Sequence, residues 1–205
     1  LQAAIESARR RRIGELDELE QAPMVGALAC GERFPEGWAG GREKVDFFDL
    51  KGDLESLIAL GGEENAWRFE PGEHPALHPG QSARIIHRGE PVGWIGALHP
   101  GVKAELGLKA DVFLFEVRQD ALTHGVLPGF EPLSRYPEVR RDLAFLMAEE
   151  RPVQALLDCV RHQAGEWLQE LNLFDVYQGK GVPEGSKSVA LGLTWQHPSR
   201  TLNDD

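Results

Sequence analysis

The chain has 205 residues, 41% of them apolar and 27% charged, and a formal net charge of −11. That length supports one large domain or two modest ones, each with its own core. The acidity excludes a blanket electrostatic grip on nucleic acid but leaves room for local RNA recognition, and no apolar run approaches the roughly 20 residues that span a bilayer.

Residues 1–20 read as a charged helix or tail, basic at "ARRRR" and acidic at "ELDELE". They lack the apolar core of a signal peptide. The chain starts with leucine and is expected to be part of a longer one. "APMVGALACG" (22–31) reads as a strand of small residues. In "VDFFDLKGDLESLIALGG" (45–62) the period changes midway. Val45, Phe47 and Phe48 suggest an extended entry, and Leu50, Leu54, Leu57, Ile58 and Leu60 then fall at near-helical spacing. Asp53 is the expected cap of that helix, and Gly61-Gly62 its stop.

"ARIIHRGEPVGWIGALHP" (83–100) predicts a hairpin turning at "RGEP". A short helix follows at 102–108, then a buried strand from Val112 running into a helix start near Leu122. Consecutive hairpins without βαβ repeats point to an antiparallel sheet with helices. "GVLPGFEPLSRYPEV" (125–139), with three prolines and two glycines, reads as a linker.

Beyond it, "RRDLAFLMA" (140–148) is a strand with Leu143, Phe145 and Met147 on one face. "RPVQALLDCVRHQ" (151–163) is an amphipathic helix with Pro152 in its first turn and Val153, Leu156, Leu157 and Val160 as its stripe. "EWLQELNLFDVYQG" (166–179) and "SKSVALGLTW" (186–195) are two further strands. The order β-α-β-β is the first half of a split βαβ fold, which would need another helix and strand.

Chemistry is sought first in "YQGKGVPEGSKSVALGL" (177–193). A phosphate cradle needs G-x-x-x-x-G-K-[ST] with a helix after it. Here the spacing differs and a strand follows, so the loop joins two antiparallel strands. His74 and His78 are each followed by proline, which rules out a zinc-binding helix at that spacing. His99, also before a proline, is expected to cap a turn. Asp46 and Asp49 read as structural carboxylates. Cys30 and Cys159 match no CxxC pattern, and Cys159 is assigned to packing on its helix stripe; both are expected as reduced thiols in a cytoplasmic protein. No catalytic constellation emerges.

Six motifs in order, "VDFFDLKGDLESLI", "HPALHPGQSARI", "GEPVGWIGALHP", "SRYPEVRRDLAFLM", "LFDVYQGKGVPEGSKSVAL" and "SRTLNDD", resemble the C-terminal part of the bacterial phenylalanine–tRNA ligase β-subunit family. The likeness runs from about Val25 onward. It implies an α+β chain of two modules. Residues 21–133 would form a class II synthetase-like antiparallel module without catalytic activity. Residues 134–205 would form a ferredoxin-fold anticodon-binding domain, incomplete at its C-terminus. The family places phenylalanyl-adenylate formation, with its ATP and Mg2+, in the α subunit of an (αβ)2 heterotetramer. Its editing domain and β-subunit magnesium ligands lie upstream of this region.

The implied partners are therefore the α subunit and the anticodon stem-loop of the phenylalanine tRNA, with no DNA and no membrane. Candidate RNA contacts are Arg140 and Arg141 at the start of the first strand, Tyr177, Lys180 and Lys187 around the glycine loop, and Arg200 in "SRTL". Residues 134–205 carry eight Lys/Arg and eleven Asp/Glu, so RNA affinity is expected to be weak and salt-dependent. The rival readings are an autonomous RNA-binding or protein-interaction module and a small-molecule enzyme with a cleft between the modules.

Overall fold

A computed structural model of the chain describes residues 21–38, 41–126, 129 and 133–202; the expected helix or tail at 1–20 lies outside them. The described residues form two compact units that divide after residue 128, each described by itself.

The first unit contains β1 (Met24–Cys30), α1 (Phe47–Ala59), β2 (Trp67–Pro71), β3 (Leu77–His87), β4 (Glu90–Leu98), α2 (Pro100–Glu105), β5 (Val112–Arg118) and α3 (Gln119–Thr123). Its five strands form one sheet in the order β1-β5-β4-β3-β2, with every neighbouring pair antiparallel. The expected hairpin is present and turns at Arg88-Gly89. The sequence reading missed β2, five residues that become a strand only by pairing with β3.

Helix α1 lays Leu50, Leu54 and Ile58 on the sheet residues Ile85, Ile95, Phe113, Phe115 and Val117. Each such side chain contributes about 1.5–3 kcal/mol when fully buried. The helix starts earlier than expected. Phe47 and Phe48 are its first residues, and Asp46, not Asp53, is its N-cap. Asp46 Oδ1 accepts the Phe48 and Asp49 N–H groups at 2.7 and 3.0 Å, and Asp49 Oδ2 accepts the Asp46 N–H at 2.8 Å. This reciprocal capping box satisfies donors that the helix cannot.

Arg33 locks the box from outside. It pairs with Asp49 at 2.9 Å, Glu43 at 2.9 Å and Asp46 at 3.4 Å. The Asp46 N–H, then Arg33, hold the Asp49 carboxyl below the usual carboxylate range. The helix stops where expected: Gly62 adopts φ +70°, a region open to glycine.

Four histidines followed by proline share one role. Nδ1 of His74, His78, His99 and His197 accepts the N–H of Ala76, Gly80, Gly101 and Ser199, at 3.2, 3.0, 3.0 and 3.0 Å. Proline fixes its own φ and lacks an N–H, so the next N–H turns back onto the ring. The expected turn cap at His99 is one of these, seated at the start of α2.

The second unit contains β6 (Val139–Ala148), α4 (Val153–Gln163), β7 (Leu168–Tyr177) and β8 (Ser186–Trp195), the β-α-β-β order read from the sequence. The sheet order is β6-β8-β7, all antiparallel. The third strand of the unit is thus central. Among the described residues the two edge strands of this sheet are β6 and β7.

Val189, Leu191 and Leu193 are the buried centre, covered by Val153, Leu156, Leu157 and Val160 of α4. The Trp195 indole N–H donates to the Ala164 carbonyl at 2.9 Å and ties the end of β8 to the end of the helix. Cys159 does not pack on the stripe as expected; it is exposed. Its neighbours at 156, 157 and 160 take the sheet-facing positions, and residue 159 falls outside that arc.

Candidate nucleic-acid interface

The pairing register divides the second unit's sheet into two faces. Leu143↔Leu191 and Phe145↔Val189 share the helix face. Arg140↔Thr194, Asp142↔Gly192, Ala144↔Ala190 and Leu146↔Ser188 share the other. On β7 that open face carries Glu170, Asn172, Asp175 and Tyr177, opposite Thr194, Gly192, Ala190 and Ser188.

A bulge modifies the pattern. Leu173 pairs with Leu191 and Asp175 with Ala190, so Phe174 is an extra, unpaired residue. Its ring lies on the open face, because its Cδ1 is 3.7 Å from where a Gly192 Cβ would stand. Phe174 is 50% exposed and Tyr177 46%. Half-exposed aromatic rings on a sheet face are what base stacking requires.

The structure separates the six candidate residues. Arg140 lies on the open face, and its Nε donates to Asp142 Oδ1 at 3.2 Å. Arg141 points to the helix face by register, opposite Leu193, and its Nη1 donates to the Arg140 carbonyl at 3.1 Å. Tyr177 is on the open face at the other end. Arg140 and Tyr177 sit opposite Thr194 and Ser188, six residues apart along β8, or roughly 20 Å at about 3.3 Å per residue.

Lys180 lies in the loop after Tyr177, whose hydroxyl donates to the Lys180 carbonyl at 3.4 Å. Lys187 shares the helix face with Met147, and its Nζ donates to the Glu149 carbonyl at 2.8 Å. Arg200 is exposed beyond the C-terminal end of β8. Tyr177 and Lys180 therefore flank one end of the sheet, and Arg140 with Arg200 the other.

The glycine loop spans residues 178–185 between β7 and β8. Gly181 and Gly185 take φ +98° and +73°, so the glycines serve to reverse the chain. A strand follows the loop, and no helix N-terminus is available to hold a phosphate.

Phe174 was missed in the sequence. Alternation from Glu170 and Asn172 carries it to the open face, and the bulge sets Asp175 on that same face directly after it. Asp142 and Gly192 were missed because their meaning depends on register across three strands.

Comparison with known proteins matches residues 6–118 to the family model "Phenylalanyl tRNA synthetase beta chain CLM domain". Residues 134–205 match the "Ferredoxin-fold anticodon binding domain". The first match begins inside the segment where the sequence motifs showed no resemblance. The chain is similar to phenylalanine–tRNA ligase beta subunits: 55% identical over 195 residues to that of Pseudomonas syringae pv. tomato, covering 95% of this chain and 25% of the relative. It is 46% identical to that of Nitrosococcus oceani (94% of this chain, 24% of the relative) and 42% identical to that of Hahella chejuensis (92% and 24%). The chain thus spans about a quarter of the length of the curated relatives it matches.

Proposed function

The chain belongs to the phenylalanine–tRNA ligase β-subunit family, and from that premise we propose that it supports assembly with an α subunit and binds the anticodon stem-loop of the phenylalanine tRNA. The first unit, with residues up to about 133, acts as the non-catalytic synthetase-like module, and residues from 134 onward as the anticodon-binding module. The complete enzyme, an (αβ)2 assembly in the cytoplasm, attaches phenylalanine to the tRNA at the expense of ATP.

ATP and Mg2+ belong to the α subunit on this reading. Among the described residues no group of three His, Cys, Asp or Glu side chains is placed to hold a metal ion, and the glycine loop lacks the geometry of a phosphate cradle. Among the described residues the donor set fits neither group.

The observation that carries the RNA reading is the open face of the β6-β8-β7 sheet, where Phe174, Tyr177 and Arg140 are exposed together. Single-stranded loop bases are bound by stacking on such rings, while cations follow the backbone. Among the six candidates, Arg140 and Tyr177 are on this face, and Lys180 and Arg200 lie beyond its ends. Arg141 and Lys187 are assigned secondary or structural roles.

Titration of the 205-residue chain with a phenylalanine tRNA anticodon stem-loop, followed by amide NMR shifts, tests this. Shifts should cluster on β6, β7, β8 and residues 178–185. Arg140→Glu should weaken binding and flatten its salt dependence, whereas Arg141→Glu should do so less. Equal effects of the two substitutions, or shifts confined to α4, would overturn the assignment of the face. Co-purification with an α subunit tests the assembly role of the first unit.

A further inference from the structure

The first unit buries two polar atoms without partners, and they face one another. Among the buried side-chain nitrogens and oxygens of the described residues, Glu63 Oε2 and His87 Nε2 are the two that make no hydrogen bond. They stand 3.8 Å apart. That gap is about 1 Å longer than a charge-assisted hydrogen bond. It is also too short for a bridging water, whose two partners at about 2.8 Å each would lie roughly 4.5 Å apart.

His87 is held in place. It is buried, lies opposite Trp67 in the β2-β3 pairing, and stacks on that indole at 4.4 Å. Glu63 lies between α1 and β2, and its Oε1 accepts from Arg88 Nη2 at 2.5 Å. This hydrogen bond holds the Glu63 carboxyl below the usual carboxylate range. The charged and titratable groups facing His87 are Glu63 from that segment, Arg88 from the β3-β4 turn, and His124 from beyond α3, its ring 6.1 Å away. Burial, then Arg88, push the imidazole below its usual value, against Glu63. Near pH 7 a neutral ring therefore faces a carboxylate.

The segment that carries Glu63 is also the seat of residues 124–126. The Val126 N–H donates to the Gly61 carbonyl at 2.9 Å. The two backbones touch. A methyl group placed on Gly125 would stand 3.4 Å from the Gly61 oxygen, and one on Gly62 would stand 3.3 Å from the Val126 oxygen. We propose that Glu63 and His87 form a proton-operated latch, open at neutral pH with residues 124–126 seated, and closed in acid with that segment, the last described stretch of the first unit, released. Protonation puts a hydrogen on both ring nitrogens and a positive charge on the ring. The charge draws Glu63 Oε2 inward and repels Arg88 and a protonated His124. Because Trp67 holds the ring, closure moves Glu63 and the Gly61-Gly62 backbone. The Val126 hydrogen bond and the glycine contacts are then lost.

The test is amide hydrogen exchange of the full 205-residue chain, followed by NMR between about pH 7.5 and about pH 5, with the His87 ring titrated in parallel. The protection factor of the Val126 amide should fall about tenfold as His87 takes up its proton. That is the linkage expected if seated and released states differ by about one unit in the His87 value. Amides of β4 and β5 should keep their protection. His87→Phe, which retains the stack, should hold Val126 protected throughout, with the Trp67 indole signal reporting that the variant is folded. If it does not fold, the wild-type profile decides alone.

Val126 protection that does not follow the His87 titration would overturn the latch. So would a loss shared equally by β4 and β5, or a response that persists in folded His87→Phe.

Discussion

Replacing Asp46 by alanine should destabilise the first unit through the start of α1. The substitution removes the acceptor of two N–H groups, at 2.7 and 3.0 Å. Loss of such a cap costs about 1–2 kcal/mol. The ion pair to Arg33 at 3.4 Å adds little: Arg33 keeps Asp49 and Glu43, and partly exposed pairs contribute about 0–1 kcal/mol. Asp46→Asn should restore most of the loss, because asparagine caps as well as aspartate. Asp53→Ala should have the opposite sign. Asp53 is exposed inside the helix, where alanine is the better helix former by about 0.5 kcal/mol. The assay is urea unfolding read from the indole N–H signal of Trp67, a core residue 7% exposed. An Asp53→Ala cost equal to that of Asp46→Ala, or failure of Asp46→Asn to rescue, would refute the capping argument.

Leu191 is fully buried at the centre of the second unit. Leu191→Ala should cost about 2–5 kcal/mol, seen as a large drop in the urea midpoint of the Trp195 indole signal. A second prediction concerns pH. Burial first, and then the charge of Arg88, push the His87 imidazole below its usual value, against the pull of Glu63. Its contribution to stability is complete above the unfolded value of about 6.5 and is lost as pH falls through the lower folded value. Acidification from about pH 7.5 to about pH 5.5 should therefore lower the urea midpoint of Trp67. His87→Phe, which preserves the stack on Trp67 seen at 4.4 Å, should reduce that dependence.

Much of the architecture was legible in the sequence because local signals agreed with tertiary demands. Alternation in "SKSVALGLTW" marked β8, whose odd positions 189, 191 and 193 are buried. The Arg88-Gly89 turn and the α4 stripe were equally plain. Failures occurred where two local signals competed. Phe47 and Phe48 resemble a strand in isolation, yet Phe47 packs on the core and Phe48 is 75% exposed at the start of a helix. A cap one residue upstream decided between them. Strand β2 was invisible because five residues with a charge at Arg68 and Glu70 carry too little pattern to stand without a partner.

The candidate site was legible only in part. Sequence supplied the module, the aromatic Tyr177 and the cations. It could not sort Arg140 from Arg141, adjacent residues that a strand sends to opposite faces. The sequence by itself determined most of the strands and helices, β2 excepted, since periodicity and capping act over a few residues. Tertiary structure alone decided that Arg140, Asp142, Phe174 and Gly192 meet. Their convergence depends on the order β6-β8-β7 and its register, and these are fixed by pairing between segments up to about fifty residues apart, where no local signal reaches.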